Sequence, residues 1–333
     1  MIPLLINYYS FGYGAGYVDK TLPLSSQLSM PILANLALEN NLNGVEVPFE
    51  KLLKVDSNQI SSLSNIIKNN NLESTISIED FTPHVFYKMV EFLNNDNLRF
   101  NGIIRIKMSN NFGGNRYRIG NFSSQVKQFT ENIIEVDGLC GEMGYLLAIE
   151  NHQDLTSYEL IDIIESNNLN SVGITWDVGS SLALGQSPKD FYKVVRKHII
   201  NVHLKDYIIV ETKLGSMLVR CPLGKGVVDF GQIITDIRSQ FNRNNSIKLS
   251  IELGAHTARA VDYFHPEYWE KFPKSIRTNK DNYIRYMQSH NIQMRDYQEN
   301  SLLFKSPSDM IKKEIDDAVD SIHYIQSIME LLS

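Results

Sequence analysis

Eight short runs of β-forming residues recur along the chain with a helical pattern between successive runs. This alternation constrains the fold more than any single motif. The runs occupy 4–9, 44–49, 72–78, 102–107, 145–151, 172–178, 199–206 and 247–253. Between them apolar residues fall at helical spacing, as in Ile60, Leu63, Ile66 and Ile67, or Val85, Met89 and Phe92. Several helix starts are marked chemically. Thr82-Pro83 sets an N-cap before a proline at the first helical position, and Thr156-Ser157-Tyr158-Glu159 is a capping box. Ser187-Pro188-Lys189-Asp190 and Ser306-Pro307-Ser308-Asp309 open two more helices. Strand–helix alternation implies a parallel sheet. An open doubly wound sheet would also satisfy it, but eight evenly spaced units favour closure into a (β/α)8 barrel. Residues 1–333 thus read as one α/β domain.

One stretch breaks the rhythm. Residues 255–305 lie between the eighth strand and the last helix and carry Tyr263, Phe264, Tyr268, Trp269 and Phe272. In a barrel the loops after the strands cover the active face, so a long insertion there reads as a lid or an oligomer contact. The alternative is a structural excursion that packs its aromatics on the barrel wall.

Bulk properties exclude several classes of function. The 333-residue chain carries a formal net charge of −6, without the basic field expected of a duplex-binding protein. Cys140 and Cys221 are too few for a disulfide framework, which suits a reduced, cytoplasmic location. No apolar run reaches the length of a membrane span, and the first residues lack the basic region of a secretory signal. The glycines of 10–16 are too irregular for a dinucleotide fingerprint.

Four strand-like runs end in groups that can ligate a metal: Glu150, Asp177, His203 and Glu252, spaced 27, 26 and 49 residues apart. In a barrel the C-terminal ends of neighbouring strands converge on one pocket. Three carboxylates and an imidazole make an oxygen-rich site for one divalent ion, Mn²⁺ or Mg²⁺ first, then Co²⁺ or Zn²⁺.

Five segments together carry a resemblance. Ile149-Glu150-Asn151-His152, Trp176-Asp177-Val178-Gly179, Val202-His203-Leu204-Lys205-Asp206, Gly224-Lys225-Gly226-Val227-Val228-Asp229 and Ile251-Glu252 resemble the xylose-isomerase-like TIM-barrel family of sugar (phosphate) isomerases and epimerases. The resemblance covers about residues 1–254. It implies a TIM barrel with one divalent metal held by Glu150, Asp177, His203 and Glu252, and it implies that Glu150 and Glu252 also serve as acid/base groups. The expected activity is isomerisation or epimerisation of a small sugar, polyol or sugar acid through a metal-stabilised enediolate. The chain departs from several epimerases at Ser180, where they carry a histidine three residues after the strand-six aspartate. A lyase on the same barrel, either a sugar-acid decarboxylase or an inosose-type dehydratase, is the second reading. A non-catalytic binding barrel is the third. An AP-endonuclease-like activity is disfavoured by the acidic charge and by only 8 histidines. The expected partner is a small carbohydrate, with no nucleic acid and no membrane, and with room for a homo-oligomer.

Further residues are candidates for substrate contact. His152 follows the metal glutamate and either reaches substrate or acts as a structural hydrogen-bonder. Lys205 shares a strand face with His203 and either polarises substrate or pairs with a carboxylate. Arg220 and Arg259, expected in the loops after strands seven and eight, are anion-binding candidates. Glu46, on the second strand, is a candidate for the pocket wall. Gly226 and Asp229 read as a tight turn and a helix cap.

Overall fold

The computed structural model describes residues 2–18, 27–96, 102–108, 115–241, 247–254, 258–300 and 306–332. Eight parallel strands close into a barrel: β1 (Leu4–Asn7), β2 (Gly44–Pro48), β3 (Glu73–Ile78), β4 (Ile103–Ile106), β5 (Leu146–Glu150), β6 (Val172–Asp177), β7 (Ile199–Leu204) and β10 (Lys248–Ile251). Each matches a run expected from the sequence, with no end shifted by more than two residues. The helices between them carry the expected caps. Thr82, Thr156, Ser187 and Ser306 each accept a backbone N–H of the helix they open, Thr156 with Glu159 completes the capping box, and Ser29 and Asp56 cap two further helices whose caps were not expected. The final helix, Pro307–Leu331, buries Ala318, Ile322 and Ile325 against the barrel core.

Register decides what the strand ends present. Asn7 pairs with Glu46, and Asp177 pairs with His203. The second pairing depends on a bulge: Ile174 faces Ile199 but Thr175 faces Asn201, so β7 gains one residue against β6. An uninterrupted ladder would set Val202 opposite Asp177. Because side chains alternate along a strand, the bulge re-aims the end of β7.

The chain departs from a plain barrel after β7. A simple turn and helix are expected there, but the structure has an antiparallel hairpin, β8 (Asp206–Thr212) and β9 (Gly215–Cys221). Two strands of the 255–305 segment join it, β11 (Ala258–Val261) beside β9 and β12 (Asn291–Ile292) beside β8. Arg220 and Arg259 therefore stand on strands of a four-stranded sheet and not in loops. Residues 255–257 and 301–305, which belong to the stretch singled out above, lie outside the described residues.

This small sheet has its own core. Tyr207, Ile209 and Leu218 of the hairpin pack with Val261, Tyr268 and Tyr283, among others, apart from the barrel core. The hydroxyls of Tyr268 and Tyr283 donate to the carbonyls of Ala183 (3.2 Å) and Leu182 (2.6 Å), in the 3-10 turn after β6. Burying these rings is cheap because each polar tip finds an acceptor.

The hairpin is rooted by Asp206. Its two carboxylate oxygens accept the backbone N–H groups of Tyr207, Gly224, Gly226 and Val228 at 2.9–3.1 Å. Burial raises its pKa to about 6 against the lowering effect of those four amides. At Gly226 an added Cβ would sit 2.3 Å from Asp206 and 2.4 Å from the Tyr207 carbonyl, so only glycine lets the turn close on the carboxylate. Asp229 accepts from the Gln232 N–H at 3.0 Å and caps the following helix.

Candidate metal centre and active-site cavity

The ends of β5, β6 and β7 and the residue after β10 bring Glu150, Asp177, His203 and Glu252 together. One ligand atom from each lies within 4.8 Å of the others, and all four side chains are buried. The barrel order β10-β7-β6-β5 puts them on one continuous arc with the two glutamates at its ends.

Neighbouring groups fix each one. Asn151 accepts the Asp177 N–H at 2.7 Å and donates to the Asp177 carbonyl at 3.0 Å, which locks the end of β6 to the end of β5. The carboxylate of Asp177 accepts from the Ser180 N–H (3.0 Å) and from Lys205 Nζ (2.5 Å). Glu252 receives Asn7 Nδ2 at 3.0 Å and Lys205 Nζ at 2.5 Å. His203 Nε2 sits 3.1 Å from both oxygens of Glu46. Its Nδ1 faces Glu252 Oε2 at 2.8 Å and Glu150 Oε1 at 3.9 Å, but no hydrogen bond forms there. Both oxygens of Glu150 likewise lack a hydrogen-bond partner among the described residues. Buried lone pairs without donors are costly, and here they converge. This donor set fits a divalent cation. The carboxylate behind His203 is what orients a ligating imidazole in known metal sites.

The charges are coupled. Burial raises the pKa of Glu150, and Glu252 adds to that while Arg105 opposes it. Burial would raise Glu252 as well, yet Lys205 and His203 outweigh it and hold that carboxyl well below the usual range. Burial works against a charged His203, but Glu46 and Glu252 hold its pKa well above an ordinary imidazole.

A cavity of about 490 Å³ opens over the arc. Glu150 and Glu252 form part of its floor, and His152, Arg220 and Arg259 stand on its wall. Burial and the surrounding cations, Lys107 foremost, keep the His152 imidazole neutral, with its pKa well below the ordinary value. Lys205 is fully buried and engages Asp177 and Glu252, the carboxylate-pairing alternative of the two. Glu46 is also fully buried and points at His203 from behind the ring, while the cavity wall is built from other residues. Ser180 is buried against Asp177.

Several residues of the site escaped the sequence reading. Arg105 bridges Glu46 (3.4 Å), Glu79 (2.7 Å) and Glu150 (3.3 Å). Lys107 pairs with Glu79. Tyr9 and Tyr17 stack with ring centres 4.7 Å apart, and both line the cavity. A signal was present: Arg105 and Lys107 are charges two residues apart at the end of an apolar strand, so they share one face.

The model of the family described as xylose isomerase-like TIM barrel matches residues 34–244. The chain belongs to this family. A curated relative, the uncharacterized protein YihM of Escherichia coli strain K12, is 23% identical over 342 aligned positions, covering 99% of this chain and 91% of the relative. Among solved structures, D-psicose 3-epimerase with D-tagatose from Clostridium cellulolyticum H10 is similar at a TM-score of 0.57 and 11% identity, over 87% of this chain and 99% of that one. The IOLI protein with a bound zinc atom is similar at a TM-score of 0.55 and 14% identity, over 87% and 98%. At such identities the structural likeness shows the fold. Among the described residues no helix is long and apolar enough to cross a membrane.

Proposed function

We propose that this chain is a divalent-metal-dependent isomerase or epimerase of a small sugar, polyol or sugar acid. The observation that carries this reading is the buried convergence of Glu150, Asp177, His203 and Glu252 beneath a cavity large enough for a monosaccharide. Glu150, Asp177, His203 Nδ1 and Glu252 would hold the ion, which supplies positive charge to an enediolate developing on the substrate. Mn²⁺ or Mg²⁺ suits the oxygen-rich set best, with Co²⁺ or Zn²⁺ next. Glu252, kept ionised by Lys205 and His203, takes the proton beside the substrate carbonyl. Glu150, at the other end of the arc, returns one. Glu46 holds the His203 ring by its far nitrogen, and Asn151 fixes the backbone of Asp177. His152, uncharged on the cavity wall, faces the substrate hydroxyls. Tyr9 and Tyr17 offer an apolar wall to a sugar ring.

A sugar-acid lyase is the second reading, favoured by Ser180. No imidazole stands three residues after Asp177, where several epimerases of the family carry a histidine that contacts the substrate.

The test begins with the metal content of the purified protein and a Mn²⁺ titration of the wild type, Glu150→Gln and Glu252→Gln. A wild-type chain that neither contains nor binds a divalent ion sinks both readings. Proton NMR in D₂O with ketoses and sugar acids then separates them. Exchange of a carbon-bound proton without loss of carbon or water marks an isomerase or epimerase, and release of CO₂ or water marks a lyase.

A further inference from the structure

The cations of the cavity fall into two groups. Arg105 and Lys107 are ion-paired with Glu46, Glu79 and Glu150. Arg220 and Arg259 have no carboxylate within ion-pair distance among the described residues, although both line the same cavity. Register explains why they stand together. Tyr207 lies opposite Arg220 on the hairpin, and Arg259 lies opposite Leu218, two residues before Arg220. Opposed residues share a face, so Arg259 is the diagonal neighbour of Arg220 on one side of the small sheet.

Arg220 is set in place. Its Nη1 reaches the Gly254 carbonyl at 3.4 Å, while its Nε is buried and has no hydrogen-bond partner among the described residues. Gly254 has φ +57°, and a Cβ there would lie 1.7 Å from Arg220 Nη1. The chain two residues beyond Glu252 thus needs glycine to let this guanidinium through. Arg259 pairs on an edge strand and is half-buried. Two like charges on one face of a half-closed cavity repel each other unless an anion joins them. Consistent with this, burial and the charge of Arg220 hold the Arg259 guanidinium below its usual pKa.

We infer that Arg220 and Arg259 form an anion clamp, and that the natural substrate carries a carboxylate or phosphate at the end away from the reacting carbon. Guanidinium forks match the planar or tetrahedral oxygens of such groups. This rests on the proposed function for the reacting carbon's place over the ring, but the clamp itself is built on the other sheet. A substrate anchored there would be presented to Glu252 from the side on which the chain leaves β10.

Calorimetric titration tests the clamp with inorganic phosphate, D-gluconate and the neutral polyol xylitol. Each is added to the full-length protein as purified and after chelation. The wild type should bind at least one of the two anions after chelation and bind xylitol far more weakly. Binding of gluconate alone assigns a carboxylate, and binding of phosphate alone a phosphate ester. Arg259→Gln, half-exposed on an edge strand, should weaken anion binding by about tenfold or more, the loss expected for one charge-assisted hydrogen bond. Its Mn²⁺ affinity should stay unchanged. Arg220→Lys keeps the charge but not the fork and should also weaken the anion. The inference is overturned if the wild type binds neither anion, if xylitol binds as tightly, or if Arg259→Gln binds anions like the wild type. A chain that binds Mn²⁺ but no anion removes the clamp and leaves the metalloenzyme reading. One that binds gluconate but no Mn²⁺ does the reverse.

Discussion

The ring at the strand ends and the small sheet beside it solve opposite electrostatic problems. In the ring the lysine and the arginine nearest the four residues are matched by carboxylates, and what lacks a hydrogen-bond partner among the described residues is the Glu150 carboxylate and His203 Nδ1. On the small sheet Arg220 and Arg259 have no carboxylate within ion-pair distance among the described residues. The two regions also differ in the matter that supports them. The ring rests on aliphatic strands such as Ile104, Ile149 and Val202, whereas the sheet rests on tyrosines whose hydroxyls are tied to main-chain carbonyls. One region is organised to receive positive charge and the other to receive negative charge. Because their cores are separate, each can be damaged while the other is watched.

The largest effect is expected at the ring. Glu150→Gln should lower turnover by about 10⁴-fold, since under the proposed function it removes an acid/base group together with a ligand. Circular dichroism should be unchanged, because Gln keeps the volume. Retention of more than a tenth of the activity would remove Glu150 from the chemistry. The matching cut on the other side is Tyr268→Ala. It empties a fully buried site and should cost about 4 kcal/mol in local stability. Hydrogen exchange should then accelerate across β8, β9 and Lys280–His290 but not in β1–β5. Uniform acceleration would show that the two cores unfold as one.

Smaller effects probe how the ring is supported. Glu46→Gln leaves all four ligands in place but weakens the hold on His203. Mn²⁺ affinity should fall by about 10–100-fold, read by titration. Asp154 offers a pH test. Its carboxyl is buried, one oxygen has no partner, and burial pushes its pKa up to about 8. The unfolded chain loses this proton near pH 4. Between about pH 4 and pH 8 the folded state therefore holds a proton that the unfolded state lacks, and stability declines as pH rises through that window. Asp154→Asn removes this decline. Urea unfolding at pH 6 and pH 8 should show the wild type losing about 2 kcal/mol more than the variant.

The barrel was legible because parallel strands buried on both sides read as continuous β-rich runs, and because capping residues punctuate the helices. The four ring residues were legible because each ends such a run. The small sheet was hidden by the same rule. The β-rich residues continue from Ile199 to Val210, so nothing in composition marks Lys205, where the chain leaves the barrel and enters the hairpin. The turn at Lys213-Leu214-Gly215 between alternating runs was the available signal. Arg105, Glu79 and Asn7 were missed for another reason. Each is a polar residue in or just after a strand, and its meaning depends on which residue stands across the barrel. Only register, including the bulge before Thr175, supplies that.

The bond from Glu46 to His203 crosses the molecule in sequence as well as in space. All four ring residues stand on or just after the last four barrel strands, while Asn7, Glu46 and Arg105, which hold them, stand on the first four. A C-terminal half-barrel would therefore possess every ring residue and lack their arrangement. The ring is a product of closure, since β1 and β2 must stand in the closed barrel before Asn7 and Glu46 can reach Glu252 and His203.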